Sequence, residues 1–143
     1  MALPPVYDRD AVAPLWQELA AVGVEPLSTP EQVDGVLDAG AGTALVIVNS
    51  VCGCAAGKAR PGIAMALRNA KKPDVVATVF AGADVEATER ARQYFTGHAP
   101  SSPSIGLLKD GKLLYMMERR DIETRDAQMI AEELTRAFDT HCG

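Results

Sequence analysis

Apolar residues cluster in the chain in two ways, and each predicts a different kind of element. In 10–22, Val12, Leu15, Trp16, Leu19 and Ala20 recur at i, i+3 and i+4. That spacing predicts an amphipathic helix, with Asp10 as its cap and Gly23 as its stop. A short extended piece is expected at Val24 to Leu27. Thr29-Pro30-Glu31-Gln32 then opens a second helix: Thr29 suits the N-cap, Pro30 the first helical position and Gln32 the reciprocal capping partner. This helix is expected to end near Ala39, before Gly40. The run Thr43 to Asn49 is continuously apolar and β-branched, as is Val75 to Phe80. Such runs predict strands buried on both faces.

A helix is expected after the first run, to about Ala70. Pro61 either sits in its first turn or kinks it. Another helix follows Asp84 and carries Val85, Thr88, Ala91, Arg92 and Phe95, closed by Gly97. Ser104 to Leu108 and Lys112 to Met117 flank Asp110-Gly111, a strong hairpin signal. A polar connection leads to Asp126 and a last helix to about His141, with Ile130, Leu134, Ala137 and Phe138 on one face. Helices after each buried strand imply parallel pairing with helices on both sheet faces, and the hairpin adds an antiparallel edge. With 24–27 as an edge strand, this is the element order of the thioredoxin fold: α/β, with a central mixed sheet and a C-terminal hairpin plus helix. Residues 1–9 read as an irregular lead-in, and 1–143 as one domain.

Composition narrows the function. The 143 residues carry a net charge of −5, with hydrophobic residues at 48% and charged residues at 23%. The acidic balance disfavours nucleic acid or an anionic membrane as partner. Lys71-Lys72 and Arg119-Arg120 are the only adjacent basic pairs and read as solvated ends of elements. No basic start with a long apolar stretch marks a signal peptide, and no apolar run approaches a membrane span. Three cysteines do not make a secreted disulfide framework. A cytoplasmic protein is expected, in which a close cysteine pair is catalytic, redox-sensing or metal-binding.

Cys52-Gly53-Cys54 is that pair, set between the first buried strand and an alanine-rich run. A thiol at such a junction faces the N–H groups and positive dipole end of the new helix, which favour thiolate, the attacking form. Lys58 and Arg60 add positive potential if the helix brings them round. Cys52 is the candidate attacking thiol and Cys54 the resolving one. One intervening residue closes a more strained ring than Cys-x-x-Cys does, which raises the reduction potential and suits de-thiolation and isomerisation. Gly53 leaves the backbone free to bring the sulfurs together, although an ordinary turn glycine looks the same in sequence.

Val-Asn-Ser-Val-Cys-Gly-Cys-Ala-Ala-Gly-Lys-Ala-Arg-Pro at 48–61 resembles the active-site segment of the bacilliredoxins, thioredoxin-like bacterial proteins with Cys-Gly-Cys in place of Cys-x-x-Cys. The similarity continues through Thr78-Val79-Phe80-Ala81-Gly82, Pro100-Ser101-Ser102-Pro103-Ser104 and Leu107-Leu108-Lys109-Asp110-Gly111-Lys112. The resemblance implies a redox domain that removes bacillithiol from protein mixed disulfides, or acts as a disulfide isomerase. The co-substrate is then bacillithiol or another low-molecular-weight thiol, with no bound cofactor. It also implies a cis bond before Pro103, facing the thiol, with the backbone at Ser102 pairing with substrate. The tryptophan usual beside thioredoxin's cysteines is absent, since Asn49-Ser50-Val51 stands there, so thioredoxin's own partners do not carry over.

Other readings compete. A metal-binding or redox-sensing module would need Cys52, Cys54, Cys142 and a histidine brought together, with the far terminus over the site; no metal site is expected. A thioredoxin-like domain used only for binding is a further alternative. Cys142 is expected to be an idle thiol at a frayed end, with a second resolving thiol or an intermolecular disulfide as alternatives. Glu31, Asp84 and Glu86 sit at helix starts and read as caps, and Trp16 as core. No dimer seam is visible.

Overall fold

The computed structural model describes residues 7–38, 42–53 and 55–142. Five strands form one mixed sheet: β1 (Glu25–Pro26), β2 (Thr43–Asn49), β3 (Val75–Phe80), β4 (Ser104–Lys109) and β5 (Lys112–Met117), in the order β1-β3-β2-β4-β5. β3 runs parallel to both β1 and β2, while β4 is antiparallel to β2 and β5. Among the described residues, six α-helices accompany them: α1 (Ala13–Ala20), α2 (Pro30–Leu37), α3 (Arg60–Ala66), α4 (Val85–Tyr94), α5 (Arg119–Glu123) and α6 (Ala127–His141). Among the described residues, no helix is long and apolar enough to cross a membrane.

The centre of the sheet explains the unbroken apolar run of β2. All seven of its residues are buried. Side chains alternate across a strand, so Leu45 and Ile47 enter one core with α3 and α6, while Ala44, Val46 and Val48 enter the other with α2 and α4. Each core is closed by helices, which is the two-faced covering expected of parallel strands.

Local signals decide most boundaries. Thr29 and Gln32 form the reciprocal capping pair at the start of α2. Asp110 (φ 52) and Gly111 (φ 82) make the tight turn between β4 and β5, where Gly111 supplies a left-handed conformation cheaply. The hairpin carries a bulge at Leu107/Leu108, and Leu114, the residue it displaces, is exposed.

Several expectations change. The first helix starts at Ala13, with Val12 rather than Asp10 at its N-cap, and Ala20 is exposed. The helix after the cysteines ends at Ala66, short of Ala70. The expected end of the second helix at Ala39 and Gly40 falls outside the described residues; α2 stops at Leu37. Asp38 just beyond it accepts a hydrogen bond from the Tyr94 hydroxyl (3.1 Å). Asp84 holds the N-cap position of α4, but its carboxylate makes no cap. It turns back to Arg9 (3.0 Å) and the Phe80 amide (3.3 Å), and burial raises its pKa against the pull of those partners. The polar connection before Asp126 contains α5, whose first amide region is organised by Asp121 accepting from the Glu118 N–H at 2.9 Å.

Gly62 sets how closely α3 lies against α6. A Cβ there would sit 2.7 Å from Ile130 Cγ2, 2.9 Å from its Cβ and 3.0 Å from the Ala127 carbonyl. Gly62→Ala gains about 1 kcal/mol of helix propensity. Overpacking against a branched side chain and backbone costs about 1–3 kcal/mol. The clash is expected to win: Gly62→Ala lowers the urea midpoint without changing the slope, and a raised midpoint would contradict this packing.

Candidate functional site

β2 delivers the chain to one end of the sheet at Asn49, and a buried polar knot then turns it toward the helix. Asn49 is 1% exposed and Arg60 3%. The Arg60 guanidinium donates to Asn49 Oδ1 (3.1 Å) and to the Ser50 carbonyl (3.2 Å) through Nη1, and to Glu18 on α1 (3.0 Å) through Nε. Asn49 also accepts from the Ser50 amide (2.9 Å) and donates to the Leu15 carbonyl (3.2 Å). A buried charge persists only when its donors are used, and here they join α1, the end of β2 and the start of α3.

Cys52 follows at once. Its amide donates to Ser50 Oγ (3.1 Å), and its carbonyl accepts from Ala55 (3.1 Å) and Ala56 (3.2 Å). It therefore stands at the N-terminal end of the helical segment. The first turn, Ala55–Ala59, is a π turn that runs into α3. Pro61 accounts for the widening: it has no N–H to give to the Gly57 carbonyl, and its ring crowds that position in a regular helix. Thus Pro61 lies in the first turn of α3 and also disturbs the helix before it.

The thiol is half-buried in a cleft of about 310 Å³, with Tyr7, Val51, Gly82, Ser102 and Arg119 around it. The Ser102–Pro103 peptide is cis, and Pro103 is buried. Cys52 and Ser102, far apart in sequence, thus share one cleft. Gly53 is exposed, and a Cβ there would meet nothing within 4 Å among the described residues. Steric room is therefore not what requires glycine at that position. Cys54 lies outside the described residues.

Some wall residues were read differently from the sequence. Tyr7, in the expected irregular lead-in, donates its amide to the Gly82 carbonyl at 2.9 Å. Arg119, expected to be a solvated end, donates Nη1 to the Ser102 carbonyl (3.2 Å) and Nε to Glu123 (2.7 Å), and its amide reaches Ser101 Oγ (3.3 Å). Arg92 of α4 holds the Ser101 carbonyl at 3.3 Å from the other side. Lys58 does not point to the thiol; its Nζ donates to the Glu123 carbonyl at 2.6 Å. Trp16 packs at the edge of the core, under the Arg9 guanidinium at 4.4 Å.

Cys142 contradicts the frayed-end expectation. It is 6% exposed and packs in the core with α6 and α3. Burial pushes its thiol pKa up, a Thr43 hydrogen bond pulls the other way, and the Asp74 carboxylate adds to the rise. Thr43 begins β2 and Cys52 follows its end, so the two thiols are separated by the strand's length, about 20 Å at 3.3 Å per residue. Cys142 is not placed to resolve a Cys52 adduct, nor to share a ligand with Cys52.

Comparison with known proteins gives a consistent result. A family model described as disulphide isomerase matches residues 7–142. A bacilliredoxin of Koribacter versatilis is 53% identical over 96% of this chain and 95% of its own length. One from Halalkalibacterium halodurans is 52% identical over 95% of this chain and 93% of its own. Among solved structures, thioredoxin of Malassezia sympodialis superposes with a TM-score of 0.58 at 16% identity, covering 82% of this chain and 90% of that one. Trxlp of Edwardsiella tarda gives 0.54 at 17% identity, covering 79% and 99%. The fold is that of thioredoxin.

The knot generates a test. Arg60→Met removes a guanidinium whose bonds to buried acceptors are each worth about 1.5–3 kcal/mol, partly offset because a buried charge is no longer desolvated. A net loss of about 2 kcal/mol is expected in equilibrium denaturation. Arg60→Lys is expected to recover little of it, since one ammonium cannot reach Glu18, Asn49 and Ser50 together. Unchanged stability in both variants would contradict the role given to Arg60.

Proposed function

The chain belongs to the bacilliredoxin family, and from that we propose that its thiol–disulfide oxidoreductase activity removes bacillithiol, or a similar small thiol, from protein mixed disulfides, with Cys52 attacking. The observation that carries this reading is the position of Cys52: half-buried, at the start of a helical segment, in one cleft with Ser102 and the cis bond to Pro103. Amides at a helix start favour negative charge on a sulfur placed there.

The exchange is balanced. Cys52 thiolate attacks the small-thiol sulfur of the mixed disulfide. A Cys52–small-thiol bond forms as the old bond breaks, and the protein sulfur leaves as thiolate and takes a proton from water. One disulfide replaces another, so the step consumes no oxidant or reductant. A second thiolate then attacks the adduct. If it comes from another small thiol, a small-thiol disulfide leaves and Cys52 is regenerated. If it comes from Cys54, a Cys52–Cys54 disulfide forms, the small thiol leaves, and a thiol reductant resets the pair. A cytoplasm that keeps thiols reduced is the compartment suited to this cycle.

The description of the matching family model favours a second reading, disulfide isomerisation, in which Cys52 attacks a protein–protein disulfide instead. Release of small thiol from a mixed-disulfide protein separates the two. Cys52→Ser is expected to lower release by about 10³-fold or more, as loss of a nucleophile does. Cys54→Ala is expected to retain the first exchange and accumulate the Cys52 adduct. Undiminished release by Cys52→Ser would overturn the assignment. Rearrangement of scrambled protein disulfides without small-thiol release would favour the isomerase.

A further inference from the structure

We propose that Arg119 sets the substrate specificity of the cleft by receiving a carboxylate of the small thiol, so that carboxylate-bearing thiols are preferred over neutral and cationic ones. The inference rests on the de-thiolation reading above. It starts from placement: Arg119 lines the same cleft as the Cys52 thiol, although its position in the sequence gives no hint of this. The side chain is 44% exposed, so a solute in the cleft can reach it.

Arg119 is also held in place. Its amide is fixed on Ser101 Oγ, its Nη1 on the Ser102 carbonyl and its Nε on Glu123. A fork anchored in this way has lost much of its rotamer freedom before any ligand arrives, which reduces the ordering cost of binding. The bond to Glu123 is an exposed i,i+4 pair. Such pairs are weak, and a substrate carboxylate can share the guanidinium with Glu123 or replace it.

The same contact bears on what else can bind. The Ser102 carbonyl, the acceptor that an extended peptide would use beside the cis-proline, already accepts from Arg119. A compact ligand with a carboxylate gains from that guanidinium, whereas a peptide backbone competes with it. The cleft, about 310 Å³, lies at the low end for small-molecule sites.

The test uses one carrier protein in mixed disulfide with three small thiols: mercaptosuccinate (anionic), 2-mercaptoethanol (neutral) and cysteamine (cationic). kcat/KM for small-thiol release is measured with the full-length enzyme, with Arg119→Gln and with Arg119→Lys. The ratio between adducts is read within each variant, so a change in the folded fraction cancels. The wild type is expected to prefer the anionic adduct. Arg119→Gln is expected to lose about tenfold or more of the anionic-over-neutral preference, through KM rather than kcat, and Arg119→Lys to keep part of it. The preference is expected to shrink at high salt. An equal fall on all three adducts in Arg119→Gln would make Arg119 a structural prop of the Ser102 loop and overturn the proposal. So would an unchanged preference. Release from none of the adducts by the wild-type enzyme would overturn the de-thiolation reading, and this inference with it.

Discussion

A single buried guanidinium holds together the end of this protein that carries Cys52. Arg60 lies 3% exposed between α1, the last residue of β2 and the first turn of α3. Burying a charge is unfavourable unless its donors are satisfied, and removing one partner leaves the others exposed to that cost. The three contacts therefore favour one geometry of the Asn49–Cys52 turn over its alternatives. The guanidinium's charge is itself met by Glu18 at 3.0 Å, so what the knot supplies is position.

The rest of the fold serves that junction. β2 is central, buried on both faces, and ends where the knot begins. β4 lies against β2 in antiparallel register, with Val48 opposite Ser104. That register brings the segment just before Ser104, with Ser102 and the cis bond, level with the end of β2. The site is thus a consequence of strand register at one end of the sheet. The other end holds Cys142, a buried thiol whose pKa burial raises.

Much of this was legible in the sequence because it is local. Continuous β-branched runs, the Thr29–Gln32 capping pair and Asp110-Gly111 each carry their own geometry within a few residues. So did the cysteine junction, where a strand pattern meets a helix pattern. The features that were missed depend on contacts between distant residues. An arginine reads as exposed by default, and Arg60 is buried only because Glu18, Asn49 and Ser50 converge on it. Arg119 and Tyr7 join the cleft through partners 17 residues and more away. α5 is five residues long, too short for periodicity to mark. Cys142 near the chain end reads as frayed, yet α6 stays helical to His141 and carries it into the core. The resemblance to bacilliredoxins supplied Ser102 and Pro103, which spacing alone does not connect to Cys52.

The central claim is that the Arg60 knot makes Cys52 the reactive thiol of a fold that shelters Cys142. The most direct measurement is the rate of alkylation of each cysteine at neutral pH, mapped by peptide mass, in reduced Cys54→Ala protein with and without Arg60→Met. The account predicts fast modification of Cys52, modification of Cys142 only after denaturation, and a slower Cys52 reaction in the Arg60 variant while it remains folded. Equal rates at the two cysteines, or a Cys52 rate unaffected by loss of Arg60, would contradict it.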